Sequence, residues 1–578
     1  MSDSCQLSDQ FLYQSSISPE PVVKVSSSKR VVYVTDGNNS SYSSGLVSID
    51  ATNQLNGSTG FGSLRDAYLT IPYVVTLQNS HASVALTAPA NRYCVAPKCN
   101  IANVIDSLSV QLNGKEIITQ NDYKLLWNNL RAQTEWTTSE IEKHGADSFM
   151  YPDSWQSVAW SAATDGTESG DGYVNNTTNT TQVIGLTATG SSLNCNSGFV
   201  NRVLSNPPAV AATTNGWPTL HSNVSATIAQ QQGRGAFVAG SAATAGSTLG
   251  TWYYMLKIRL VDLHPIFKEL DLMANPQIRL TLKVNQGYSD ITVANAKMKL
   301  ASTTMISGNT CPVMVASGLS GNTMNAVITG NTTASSMRLA FGVLQNAITP
   351  NSAVGAYYPY TTTRLHIPFY DLVNPSAIVA RPLKTCRYLD CYAQYFKARS
   401  GTGVQTSQQS ASFAFQLSAS LKNVKYIALI PFAETSSGNY TTATNVEQFA
   451  SPFDSAPWTH QPGSSIRSFQ VQIGNQNVFT KSHDYDFEQF NDEFAKLAAI
   501  NGDFGTSISN GLIDLQKWSS VQRVLIADCS RITNRDVPQS IQISGVNASC
   551  QGSNLLALVV YERDMEINRL TGEVERTD

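Results

Sequence analysis

The chain has 578 residues, a formal net charge of −3 and only 14% charged residues. That length allows two or three domains with cores of their own. It holds no run of about 18 apolar residues, which excludes a membrane-spanning helix, and its first 30 residues lack the apolar centre of a secretory signal.

Residues 1–26 are polar and irregular and read as an arm. Strand-like runs follow: "RVVYVTD" near residue 30, "AYLTIPYVVTL" at 67–77 and "SLSVQLNG" from Ser107. Tyr123, Leu126, Trp127 and Leu130 then recur at i, i+3, i+4, i+7, the stripe of an amphipathic helix. Asp122 stands at its start, where a carboxylate meets the orphan N–H groups. "TTSEIEKHG" (137–145) predicts a second short helix, closed by Gly145.

From Asp147 to Gly250 the character changes. The only cations there are Arg202 and Arg234, and Ser, Thr, Asn, Gly and Ala dominate. Trp155, Trp160, Val183, Ile184, Phe199 and Trp217 supply apolar anchors, so the segment reads as folded outer loops rather than a linker. Strands resume with "TWYYMLKIRLVDL", "PQIRLTLKV" and "ITVANAKMKL", which brings the first unit to 27–303. Residues 304–361 read as a Gly/Ser/Asn-rich bridge. The second unit, 362–567, shows eight candidate strands, from "RLHIPFYDL" (364–372) to "LLALVVYERDMEI" (555–567), and 568–578 is left as a tail.

The chain repeats itself. "VQLNGKEIITQNDY" from Val110 returns as "VQIGNQNVFTKSHDY" from Val471, an offset of 471 − 110 = 361. One extra residue then shifts the Asp-Tyr pair to 484 − 122 = 362. The second copy runs into its own helical stripe, Phe487, Phe490, Phe494 and Leu497, with Asp484 at the start. "PQIRLTLKVN" from Pro276 returns as "PQSIQISGVN" from Pro538, at 538 − 276 = 262. Both alternate with the period of a half-buried strand. The order is kept while 361 − 262 = 99 residues are added to the first copy between its helix and "PQIRL". The pattern predicts an all-β protein of two homologous eight-stranded jelly-roll sandwiches in tandem, with short helices and an insertion at about 147–250 in the first.

Motifs of catalysis are absent from the sequence: no P-loop, no G-x-S-x-G and no H-E-x-x-H occurs. Asp262 and His264 in "VDLHPIF" can pair, but a structural role at a strand end is the preferred reading. Nine cysteines, odd in number and scattered, argue for a reducing compartment. Cys94-x4-Cys99 and Cys386-x4-Cys391 raise a four-thiolate zinc site at slightly long spacing, and buried thiols are the preferred reading. Asp165, Glu168 and Asp171 read as a solvated acidic turn rather than a calcium loop. No catalytic, cofactor-binding or metal-ligating residue is assigned. In the first 30 residues Lys24, Lys29 and Arg30 face Asp3, Asp9 and Glu20. That balance gives no polybasic arm and no specific nucleic-acid partner.

Several stretches resemble the double jelly-roll major capsid proteins of polinton-like viruses, virophages and their relatives. They are "LKIRLVDLHPIF" (256–267) with "NPQIRLTLKVNQG", and "SPFDSAPW" (451–458) leading to "VQIGNQNVF". "RVLIADCSR" (523–531), "VPQSIQISGVN" (537–547) and the terminal "LLALVVYERDMEINRLTGEV" complete them. The resemblance spans most of the chain apart from the arm and 147–250. It implies a homotrimer of pseudo-hexagonal outline that tiles an icosahedral shell in the virion. The partners it implies are neighbouring capsomers, penton and minor or cement capsid proteins, an internal membrane in some relatives, and a host surface met by the outer loops. Two other classes compete. A carbohydrate-binding or adhesive β-sandwich, fibre- or lectin-like, requires exposed aromatic clusters. A β-sandwich glycosidase requires two carboxylates across a cleft, and the sequence offers no preferred pair.

Overall fold

The computed structural model describes the chain from residue 26 to 577. Segments 80–92, 153–200, 205–235, 318–334, 344–361, 400–410, 434–465 and 501–510 and a few shorter stretches lie outside the description.

Eight strands build the first sandwich: β1 (Ser26–Thr35), β2 (Leu46–Asp50), β3 (Tyr68–Asn79), β4 (Ile105–Leu112), β5 (Lys115–Ile118), β6 (Thr248–Arg259), β7 (Ile278–Val284) and β8 (Arg364–Leu372). Eight build the second: β9 (Leu383–Arg399), β10 (Ala411–Gln416), β11 (Val424–Ala433), β12 (Ile466–Ile473), β13 (Gln476–Asn477), β14 (Leu525–Asp528), β15 (Ile541–Asn547) and β16 (Ser553–Asn568). The first sandwich faces a sheet β1-β8-β3-β6 with a sheet β2-β7-β4-β5. The second faces β9-β16-β11-β14 with β10-β15-β12-β13. Each strand of the second thus occupies the place of the strand eight before it, and all pairings are antiparallel. These are jelly-roll connections in open sandwiches, not closed barrels.

The repeated sentence of the sequence is therefore one structural unit written twice. "VQLNGKE" is the β4–β5 hairpin and "VQIGNQN" the β12–β13 hairpin. The turns solve the same problem differently. Asn113 and Gly114 both have positive φ (48° and 79°), as a type I′ turn needs, whereas in the second hairpin Gly474 alone does (58°), the II′ pattern. "PQIRL" and "PQSIQ" become β7 and β15, whose seven residues show the same alternation of buried and open side chains. That alternation sends Ile278, Leu280, Leu282 and Val284 into one core and Ile541 and Ile543 into the other.

The helices keep the predicted places and differ at their ends. α1 (Leu126–Glu135) and α2 (Thr138–Ser148) follow β5, and α3 (Phe487–Ile500) and α4 (Leu515–Ser520) follow β13. Gly145 does not close α2. It is buried within the helix, and the chain leaves at Phe149 in the left-handed region. Thr137 and Glu140 form a reciprocal capping box at the other end. Asp484 does not cap α3: it accepts the Ser468 N–H, and Asp486 accepts the Gln489 N–H at 2.9 Å instead. Asp122 lies outside the described residues.

Two boundaries read from the sequence shift. "RLHIPFYDL" does not open the second unit. It is β8, the last strand of the first sandwich, paired with β1 from Ser26 to Thr35. The stretch read as a bridge accordingly belongs inside the first sandwich, in the connection from β7 to β8. That connection has 364 − 284 − 1 = 79 residues, against 553 − 547 − 1 = 5 between β15 and β16. It returns strand Ser335–Val343 to the sheet beside β3, and Gly287–Ala294 and Lys297–Met305 extend the sheet further. A strand motif carries no label for its partner, and only pairing across hundreds of residues assigns it to a sheet. The link between sandwiches is the short stretch 373–382, with one helical turn at Ser376–Ala380. The tail also holds a strand, Val574–Thr577, on the edge of β16.

Within the 147–250 segment, the described residues are docked rather than free. Leu204 donates its N–H to the Val95 carbonyl, and the buried Arg202 guanidinium donates to Pro97 and Tyr151 carbonyls. Ala236–Ala239 forms a strand on β6, which the loop-only reading of this segment missed.

Candidate assembly site at the junction of the sandwiches

A buried polar network sits where the two sandwiches meet. β6 ends at Arg259 and the chain turns through Leu260–Leu263 into a 3-10 helix, Pro265–Lys268. His264 stands between them, 1% exposed, and its Nδ1 accepts the Ile266 N–H at 3.2 Å. A ring nitrogen that accepts carries no proton, so Nε2–H is the donor, and it points at Asp390 of β9 at 3.2 Å. Asp390, 2% exposed, also accepts from Tyr561 (3.3 Å), from Arg563 (3.3 Å) and from the Cys391 N–H (2.8 Å). A carboxylate in this position is satisfied by three chain segments, one from the first sandwich and two from the second. Burial, with the neighbouring Asp390 charge, pushes the Tyr561 phenol well above its usual range and holds it as a donor.

Around this centre the packing is apolar. Trp127 and Leu130 of α1 enter the cluster formed by Cys391, Ala393, Tyr426, Ala428, Leu556, Leu558 and Val560 on the outer face of the second sandwich. Phe490, Phe494 and Trp518 of α3 and α4 complete it. The Trp127 indole donates to the Tyr426 hydroxyl at 3.0 Å, giving both buried polar tips a partner. At the rim, Lys384 donates to the Glu269 carbonyl (2.7 Å) and to Asp271 (2.9 Å). Burial alone would lower that ammonium, but the hydrogen bond and charge of Asp271 outweigh it and raise it. At the far end Arg569 accepts the Ala274 N–H, and Gly572 (φ 77°) lies so close that a Cβ would meet the Asn275 carbonyl at 2.5 Å.

The sequence candidates scatter. Asp262 does not pair with His264: it holds Arg259 through two bonds of 2.9 Å, and His264 serves the junction. The cysteines do not converge on a zinc site. Cys99 packs beside Met150, Cys386 joins the first core, and Cys391 lies on the opposite face of β9. Burial pushes the Cys386 thiol up to about 11, the state of an inert buried thiol rather than a ligating thiolate. Among the described residues, no three His, Cys, Asp or Glu side chains are grouped to hold a metal. Asp165, Glu168 and Asp171 and the Cys94 side chain lie outside the described residues. A cavity of about 530 Å³ beside α1 is lined by Arg65, Arg131, Arg259 and Lys268 and by Asp66, Glu135, Glu140 and Asp262. Four cations balance four carboxylates there. Burial would raise the Glu135 carboxyl, but Arg131 and Lys268 outweigh it and hold it below its usual range. The lining is thus largely self-paired.

Solved structures resemble the chain along nearly its whole length. A chain of the Sputnik virophage structure shares 10% identity at a TM-score of 0.47, over 97% of this chain and 90% of that one. The mavirus major capsid protein shares 9% at 0.44, over 97% and 92%. The Faustovirus major capsid protein shares 10% at 0.41, over 97% of each. No protein-family model and no curated protein matches.

Sequence reasoning singled out His264, with Asp262, as a structural group at a strand end. It missed Asp390, Tyr561 and Arg563. Their alternation on β9 and β16 was visible, but their partner lies 126 residues away from Asp390.

Proposed function

We propose that this chain is a major capsid protein, a self-assembling building block of an icosahedral virus shell. The observation that carries the reading is the doubled sandwich fixed as one body by a buried junction. A tile for a large shell needs a rigid block with extensive side surfaces and loops free to vary at its ends, and two jelly rolls locked side by side provide both. Apart from "SPFDSAPW" (451–458), which lies outside the described residues, the stretches that resemble double jelly-roll capsid proteins fall on β6–β7, β12–β13, β14–β15 and β16, the framework of that block.

Three chains form a pseudo-hexagonal trimer with closed symmetry, and weaker contacts between trimers tile the surface. The trimer meets neighbouring capsomers, penton and minor capsid proteins, and the 147–250 segment faces outward for host contact. Nucleic acid is not a specific partner, since the net charge of −3 offers little to phosphate. The reading assigns no catalytic residue and no cofactor. Light scattering on the purified protein should give about three times the 62.4 kDa chain mass, with hexagonal outlines by electron microscopy. A stable monomer at micromolar concentration would sink the proposal.

A further inference from the structure

The two sandwiches are equivalent in plan, so their corresponding faces can be compared strand by strand. On the second sandwich the outer face of β9-β16-β11 is covered. Cys391 and Ala393 are 2% and 6% exposed, beneath Trp127 and Leu130 of the first sandwich's α1 and the second's own α3 and α4. On the first sandwich the counterpart face is open over β1 and β8, and on β3 it closes past Tyr68, where Thr70 and Val74 are 2% and 1% exposed. Tyr33 and Val31 are 54% and 50% exposed. They sit outward because Val34, Leu365 and Leu69 on the alternate positions enter the core.

That open face is ordered by its own side chains. Tyr33, His366 and Tyr68 stand in one cross-strand row. His366 stacks on Tyr68 at 4.6 Å, the Arg364 guanidinium lies 4.7 Å over Tyr33, and Lys29 lies 5.2 Å over Tyr370. Lys257 continues the face on β6 opposite Thr70, in an exposed 3.8 Å pair with Asp147, while Arg259 opposite Tyr68 is held by Asp262. The face is aromatic and cationic, at the edge of a sheet where β1 has no second partner among the described residues. A long edge strand with exposed apolar side chains invites a partner or aggregation.

The element that covers the second face shows what would cover the first. Within the chain, a helix after the fifth strand of one sandwich lies on the outer face of the next. The same relation carried from the second sandwich to another first sandwich uses α3. Along the 362-residue offset, Trp127 falls opposite Gln489 (127 + 362) and Leu130 opposite Asp492 (130 + 362). The apolar side of α1 is replaced on α3 by a polar, acidic one, with Glu488 and Asp492 exposed on the helix and Asp484 and Asp486 exposed just before it. These carboxylates match the cations of the open face. We infer that the outer face of β1-β8 is the seat of a second copy of this chain, which presents the exposed carboxylates of its α3.

The contact is head-to-tail, so it builds a ring where the rotation closes rather than pairing two copies face to face. Its exposed charge separates it from the buried junction inside the chain: the internal junction forms once, during folding, while the external face must stay soluble until a partner arrives. The inference rests on the shell-building reading and names the surface that reading leaves open.

Charge reversal tests it on exposed positions. Lys29→Glu with Lys257→Glu, and separately Glu488→Lys with Asp492→Lys, should each drop the mass by light scattering from about three chains to one, with an unchanged circular dichroism spectrum. Combining all four substitutions in one chain should restore the wild-type mass. Hydrogen exchange of the wild type at high and low concentration gives an independent readout, with slowed exchange expected at 26–35 on assembly. Reversal variants that keep the wild-type mass, a fourfold variant that stays single, or exchange at 26–35 that ignores concentration would each overturn the seat and leave the shell reading standing. Binding of a soluble glycan at Tyr33 with unchanged assembly would overturn it in favour of a sugar platform. A wild type that is itself monomeric would overturn both.

Discussion

The two sandwiches differ most where their plan is the same. In both, a four-strand set presents an outer face and a helix follows the fifth strand. In the second, that face is sealed by Trp127, Leu130, Phe490, Phe494 and Trp518. In the first, the same face leaves Tyr33 and Val31 about half exposed. The first sandwich also carries the long additions, between β5 and β6 and again between β7 and β8, whereas the second connects β15 to β16 in five residues. A duplicated fold has thus been divided into a compact half whose outer face is covered within the chain and an elaborated half that leaves part of the same face exposed.

The comparison breaks most readily at Trp127. Trp127→Ala removes a 2% exposed side chain from the junction and leaves the buried Tyr426 hydroxyl without its donor. The expected cost is about 3–5 kcal/mol, read as a lowered denaturant midpoint. Gln489→Ala, at the equivalent place on α3, should cost at most about 1.5 kcal/mol, the worth of its one hydrogen bond to Glu493. Equal losses at the two positions would show that the helices do not differ in role.

Asp390→Asn should come next, at about 1.5–3 kcal/mol, because Arg563 loses a charged acceptor in a buried setting. The same unfolding experiment reads it, and a loss within error would mean that the network does not hold the sandwiches together. His264 should respond with it: the effects of Asp390→Asn and His264→Ala should fall short of additivity, as they do for residues in one network.

The smallest effect is a pH dependence on the open face. Burial, and then the Arg364 charge, hold the His366 imidazole below its usual range. In the unfolded chain it takes up a proton near its ordinary value of about 6.5, while the folded chain binds that proton only at lower pH. Between those two points the unfolded state binds more protons, so stability is full above the ordinary value and falls as pH falls. Melting at about pH 7.5 and about pH 5.5 should show a smaller acid loss in His366→Phe, which keeps a ring against Tyr68, than in the wild type. An identical acid loss in both would assign the pH dependence to other groups.

Much of this was legible before any strand was paired. The sentence shared by Val110–Tyr123 and Val471–Tyr485, with the Asn-Gly and Gly-Asn turns inside it, fixes two copies of a hairpin and a helix, because local turn chemistry and period-two burial depend on neighbours in sequence. The 99-residue difference between the offsets likewise located the first insertion. What the sequence could not supply was partnership. "RLHIPFYDL" is an excellent strand wherever it is placed, and only its ladder with Ser26–Thr35 shows that it closes the first sandwich. Asp390 is one polar residue in an alternating strand until His264, Tyr561 and Arg563 converge on it. Trp127 reads as the core residue of an amphipathic helix, which it is, but the core it enters belongs to the other sandwich. Local propensity and periodicity act over a few residues and are written in order along the chain. Sheet membership, and which face is covered and which left open, are set by contacts hundreds of residues apart, and these the tertiary structure alone decides.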